Sequence, residues 1–247
     1  MIKKIFLVFG LSSLLFSCMD NDLEPQTSRH DFFSAFSFEN GDGEWVGEFS
    51  NYPESEQAKY GLEVAHDTLP NTFAGGSYND MAMRLTGRSL NGELFMYMKV
   101  HIENLEPNVS YDLDINMNVA FDVESDSNVV DAKKIYVKAG AVTTEPVSTL
   151  TPDEAELGYI GYTTSFDKGN LGSDGADLAY LGSIEIGKTA YEDNVFTVDN
   201  RNEKITGTTD ADGKLWLIVG IETEVPTKLD TYFTEVSVFY DNPLNNE

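Results

Sequence analysis

The sequence predicts an all-β fold, a single-domain, two-sheet antiparallel β-sandwich of jelly-roll type, and three observations carry that prediction. Apolar and polar residues alternate with a period of two over long stretches. Clusters of Gly, Asn and Asp such as Asn40-Gly41-Asp42-Gly43, Asn91-Gly92 and Asp212-Gly213 punctuate those stretches as turns. No stretch of helical period is long enough to matter, and many short strands joined by such turns indicate two packed sheets.

The chain opens with a segment of a different kind. Lys3 and Lys4 precede an apolar run from Ile5 to Phe16. That run is too short to cross a hydrocarbon core of about 30 Å as a helix, so residues 1–17 read as a signal peptide. It ends at Leu15-Phe16-Ser17-Cys18, which resembles the box read by lipoprotein signal peptidase, although Phe16 is bulkier than usual. The expectation is cleavage before Cys18, lipidation of that cysteine and anchoring to the lipid bilayer, each buried methylene contributing about 0.8 kcal/mol. Residues 18–31 are polar, contain Pro25 and read as a flexible tether. Asp20, Asp22 and Glu24 resemble signals that send lipoproteins to the outside of the outer membrane in some Gram-negative bacteria. The expected location is therefore exported, at the outer membrane.

Cys18 is the one cysteine of the chain. The mature domain is left without disulfides, thiolate catalysis or cysteine metal sites. The formal net charge is −26, from 42 acidic and 16 basic residues. Cleavage removes Lys3 and Lys4 and no acid, so the mature chain is more acidic still. Nucleic acid is excluded as a partner, because binding there depends on Lys and Arg neutralising phosphates. Docking on anionic lipid by charge is disfavoured in the same way.

Composition does not break between residues 32 and 241, and residues 242–247 read as a tail. Tyr111-Asp-Leu113-Asp-Ile115-Asn-Met117-Asn-Val119 alternates without an error and reads as a half-buried strand with one wet face. Leu94 to Ile102 places Met96, Met98, Val100 and Ile102 on one face, and Phe95, Tyr97, Lys99 and His101 on the other. Lys214 to Ile221 is more continuously apolar and suits a central strand covered on both sides. Further strands are expected near 34–39, 58–64, 81–86, 134–139, 194–199 and 231–239.

Two segments carry a resemblance to a known class of domain. Phe38-Glu39-Asn40-Gly41 followed by Trp45 resembles the opening strand of jelly-roll domains of the carbohydrate-binding-module type. Asn104-Leu105-Glu106-Pro107-Asn108-Val109-Ser110-Tyr111 resembles a loop-and-strand start common in those modules, where the proline and tyrosine fix a corner. Four further blocks together resemble a family of uncharacterised secreted bacterial proteins: Leu94 to Lys99, Tyr136 to Ala141 with Glu145-Pro146, Asp167 to Asn170 leading to Asp177, and Gly213 to Gly220. That resemblance implies a fold and no established activity. The chain departs from it at 126–130 and at 222–226, so no ligand site is carried over from those loops.

The resemblance to jelly-roll modules implies a structural calcium between the first and last strands, with Glu39 and Glu235 as ligands, and no other cofactor. Oxygen donors of that kind suit calcium. Asp167, Asn170, Asp174 and Asp177, around Gly169, Gly172 and Gly175, form a second candidate cluster, led by Asp167, Asp174 and Asp177. Two surface carboxylates, and a solvated Gly-Asp loop, are the alternatives.

Glycan binding in water relies on flat aromatic faces for the pyranose rings and polar side chains for the hydroxyls. Phe95, Tyr97, Lys99 and His101 share one strand face with that mixture, and Tyr136 is a further candidate. Trp216, in Leu-Trp-Leu-Ile-Val, reads as core.

Catalytic signatures are weak. His66 and His101 are isolated, and His30 lies in the tether. The mature chain has no Gly-x-Ser-x-Gly elbow and no Glu-x-Asp-x-x-Glu strand. The expected function is a non-enzymatic binding module for glycan, with an envelope-protein partner as the alternative and hydrolysis behind both.

Overall fold

The computed structural model describes residues 32–70, 80–90, 92–123, 133–152, 158–186, 195–201, 203–223 and 226–241. The signal segment, Cys18, the tether, the 126–130 loop and the tail all lie outside the described residues. Among the described residues, fifteen strands follow in chain order. They are β1 (Phe32–Ser37), β2 (Val46–Ser50), β3 (Tyr52–Pro53), β4 (Glu63–Thr68), β5 (Met81–Ser89), β6 (Phe95–Ile102), β7 (Ser110–Val123) and β8 (Lys133–Val142). Then come β9 (Ser148–Thr151), β10 (Gly161–Thr164), β11 (Leu178–Ile186), β12 (Phe196–Asp199), β13 (Ile205–Thr208), β14 (Leu215–Thr223) and β15 (Thr227–Asp241).

Two antiparallel sheets form the body. The first runs β12-β7-β15-β5-β4, with β13 also on β7 and β1 also on β15. The second runs β11-β8-β14-β6-β2, and a small third sheet is β3-β10-β9. From β5 onward the chain changes sheet at almost every step: β6 second, β7 first, β8 and β11 second, β12 and β13 first, β14 second, β15 first. The late strand β15 enters between the early strands β5 and β7, and β14 enters between β6 and β8. This order is two interlocked Greek keys, and the fold is a jelly roll.

Period-two patterning decides what lies between the sheets. Met96, Met98, Val100 and Ile102 of β6 face Leu113, Ile115, Met117 and Val119 of β7 across one core, joined by Leu215, Leu217, Val219 and Ile221. As the sequence predicts, β14 is central and buried on both faces. The corner before β7 also forms as expected. The Glu106 N–H donates to the Tyr111 hydroxyl at 3.0 Å, while Asn104 and Asn108 take left-handed φ of 67° and 58°. Two strand expectations are corrected: the strand expected near 34–39 ends at Ser37, with Phe38–Asn40 a 3-10 turn, and within 58–64 Gln57–Tyr60 is a single helical turn, closed by Gly61 at φ 56°, so that the strand begins only at Glu63.

Candidate functional site

The outer face of the second sheet is where the sequence places its aromatic candidates. Phe95, Tyr97, Lys99 and His101 do project together from β6, on the side opposite the methionines. The face is not open, however. Residues 143–152 and 158–177, between β8 and β11, fold back over it as a roof, and Phe166 packs edge-on against both Phe95 and Tyr97, with centroids 6.3 and 5.3 Å away. Phe95 and Tyr97, stacked at 5.3 Å, are each 0% exposed. The expectation that they offer a sugar platform is therefore corrected. They fill a second, smaller core with Leu178 and Ile218.

Close approach makes the roof possible. A Cβ on Gly140 would lie 2.0 Å from the Asp177 carbonyl oxygen, and one on Gly220 would lie 2.5 Å from the Phe95 ring. Buried cations then clamp the roof from below. Lys138 donates to the carbonyls of Lys168 and Asn170 at 2.6 and 2.7 Å, and pairs with Glu222 at 3.2 Å. Lys168 reaches the same Glu222 from above. Burial pushes the Lys138 ammonium below the usual lysine range, opposed by the Glu222 charge. Lys99 makes the second clamp, to Glu48 at 2.6 Å, Glu145 at 3.0 Å and the Pro146 carbonyl at 2.6 Å. The Tyr97 hydroxyl donates to Glu48 at 2.6 Å, and burial plus that carboxylate raise its pKa. Lys99 is thus corrected from ligand group to structural clamp. Tyr136 is half-buried, lies against Gly172 of the roof and meets Tyr180 at 6.0 Å.

The four blocks singled out in the sequence converge here. They supply β6, β8, the 167–177 loop and most of β14; Lys99 joins the first to the second through Glu145 and Pro146, and Lys138 joins the second to the third through the Lys168 and Asn170 carbonyls.

The acidic loop proves to be part of this construction. Asp167 accepts the amides of Gly169 and Ala176 at 2.9 and 3.0 Å, which holds its carboxyl below the usual range. Asp177 accepts the Asp167 amide at 2.7 Å, and Asp174 accepts the Tyr180 amide at 2.7 Å. These carboxylates brace their own loop through its amides. Glu39 is exposed beside a cavity of about 300 Å3 that Ser37, Asp80 and Thr234 also line. Glu235 does not line it and instead accepts the Asn118 amide at 3.3 Å. Among the described residues, no three His, Cys, Asp or Glu side chains gather as a metal site.

What stays open on this side is its margin. Trp216 is half-buried on the outer face, stacked on His101 at 4.6 Å and 19°, with the Lys99 ammonium 5.7 Å from its ring centre. Reading it as core is corrected: the inward positions are Leu215, Leu217 and Val219, and strand parity turns Trp216 outward. Its cross-strand partner Val142 lines a groove of about 610 Å3 between the roof and β13. Glu145, Ser165, Asp177, Thr206 and Thr208 line it as well. A smaller cavity of about 180 Å3 shares Asp177 and Thr206 with it and continues to Glu203 and Lys204. No signal in the sequence marks these threonines, because isolated hydroxyls on strands are common.

Asp122 and Asp230 stand opposite each other on β7 and β15, and burial, then the Asp230 charge, raise the Asp122 pKa. Neither lines the cavities just described, and Asp230 is paired with Lys228 at 2.9 Å and with Thr86. His66 donates from Nε2 to the Phe38 carbonyl at 2.5 Å, which ties β4 to the turn after β1.

No protein-family model matches the chain, and no curated protein matches it. Among solved structures it is similar to the CBM22-1 xylan-binding domain of Paenibacillus barcinonensis Xyn10C. Identity there is 9%, coverage is 85% of this chain and 94% of that one, and the TM-score is 0.40. A carbohydrate-binding module with specific mannan recognition gives 12% identity, coverage of 86% and 99%, and a TM-score of 0.34. A xylan-binding module gives 14%, 85% and 97%, and 0.31. Likenesses at these scores carry no argument about ligand. The jelly-roll assignment rests on the strand order.

Proposed function

We propose that the chain is a non-catalytic glycan-binding module, exported and held at the outer membrane by lipid on Cys18. The sequence of residues 1–18 supports the anchor. One observation carries the binding reading: Trp216, stacked on His101, stands beside a groove lined by hydroxyls and carboxylates. A pyranose ring lays its C–H face on an aromatic ring and turns its hydroxyls outward, where Thr206, Thr208, Ser165 and Glu145 supply donors and acceptors. The groove and its continuation favour an extended chain of sugars over a single one. The acidic surface favours neutral glycans over anionic ones.

The test is isothermal titration of the full-length chain with cellohexaose, xylohexaose and mannohexaose. Binding of at least one is expected, weakened about tenfold or more by Trp216→Ala, which corresponds to 1.4 kcal/mol or more. A silent panel, or a Trp216→Ala variant that binds like the parent, overturns the reading.

A further inference from the structure

The first sheet bears a surface that the groove does not use. Phe33 of β1 and Phe239 of β15 are Cα partners across the two strands. Their rings meet in a tilted pair, with centroids 4.5 Å apart and planes at 34°, and they remain 54% and 51% exposed. An isolated exposed phenylalanine needs no explanation, whereas two half-exposed rings side by side make a contiguous apolar patch.

Register defines what surrounds them. Phe239 faces Asp114 of β7, so the first row across the sheet reads Phe33, Phe239, Asp114. The next row along the strands is Ala35, Ser237, Asn116. Rows are about 7 Å apart and strands about 4.8 Å apart, and all six side chains stand on the same outer face. Ala35 and Ser237 are small, so the face drops beside the rings into a shallow step. The side chains of Asp114, Asn116 and Ser237 make no hydrogen bond among the described residues.

Size selects the occupant. A phenylalanine presents about 150–250 Å2, so two half-exposed rings offer on the order of 200 Å2 of apolar plate. A stable protein interface needs about 800 Å2 from each partner. The neighbouring Asp114, Glu235 and Asp112 carboxylates oppose an anionic headgroup or nucleic acid. A neutral six-membered sugar ring matches both the plate and the free acceptors and donors at its edge.

We infer that the Phe33–Phe239 plate, with Asp114, Ser237 and Asn116, is a second glycan-binding surface, on the outer face of the first sheet. One ring of a neutral, extended glycan stacks on the two phenylalanines, and the next residue passes over Ala35 and Ser237 toward Asn116. The surface shares only its ligand class with the groove proposed above; its residues are separate.

The test counts sites. Full-length parent, Phe239→Ala and Trp216→Ala chains are titrated with cellohexaose, xylohexaose and mannohexaose, with thermal unfolding as the check on folding. Expected are two sites per chain, one of them weakened about tenfold or more by Phe239→Ala and by Asp114→Ala while the other persists. A single site lost in Trp216→Ala and untouched in Phe239→Ala overturns this inference and leaves the groove reading intact. The reverse pattern supports the plate and overturns the groove, and no binding by any parent titration overturns both.

Discussion

The two outer faces of this sandwich start from similar strands and end differently. On β7 the outward positions are Asp112, Asp114, Asn116 and Asn118, all solvent-accessible and facing Glu235, Ser237 and Phe239 of β15. On β6 they are Phe95, Tyr97, Lys99 and His101, and only His101 escapes burial. Both strands alternate with a period of two. What separates them is the outward residue type: short acids and amides lose by leaving water, whereas aromatic rings and lysine stems gain by being covered if their polar tips find partners. Lys99, Lys138 and Tyr97 all find such partners, two of them on the roof itself.

The largest expected effect breaks the covered face. Glu222→Ala leaves Lys138 buried without its carboxylate and should cost about 3–5 kcal/mol in urea unfolding. Removing Lys138 and Glu222 together, as Lys138→Met with Glu222→Leu, should recover only part of that loss, because Lys168 is left without its carboxylate and the Lys168 and Asn170 carbonyls lose their donor. Next, Phe166→Ala opens a cavity over Phe95 and Tyr97 and should cost about 3 kcal/mol, measured the same way.

Asp167→Asn, a smaller change, removes charged acceptors from two loop amides and should cost about 1 kcal/mol, with calcium giving no rescue. Its pH dependence has a definite sign. The native carboxyl lies below its ordinary value, so the stabilisation is fully present above a pH of about 4 and disappears as the pH falls through the depressed native value. The smallest effect belongs to the open face. Phe239→Ser should cost about 0.5 kcal/mol, because the ring is half exposed and gives up only its cross-strand contact with Phe33.

Much of the fold was legible because it follows from parity. The split of β6 into methionine and aromatic faces, the doubly buried β14, the wet face of β7 and the Tyr111 corner all follow from local residue order. The roof does not. It joins residues of β8 to a loop some thirty positions away (Lys138 to Lys168 and Asn170), and no local pattern shows that a lysine between apolar neighbours is anchoring a distant carbonyl. For the same reason Phe95 and Tyr97 looked like a platform and Trp216 looked like core. Aromatic content marks a strand face as valuable without saying whether protein or ligand will cover it. The Asp167 loop is ambiguous in a related way, since short spacings of Asp and Gly suit both a cation and the loop's own amides.

Thiol accessibility tests the closed-face claim most directly. In a chain carrying Cys18→Ser, single cysteines are introduced as Ile218→Cys beneath the roof and Phe239→Cys on the open face, and each is exposed to a thiol reagent under native conditions. Position 239 should react at the rate of a free thiol, and position 218 only as fast as the protein unfolds. Equal rates at the two positions would contradict the roof, return Phe95 and Tyr97 to solvent, and restore them as the first place to look for bound sugar.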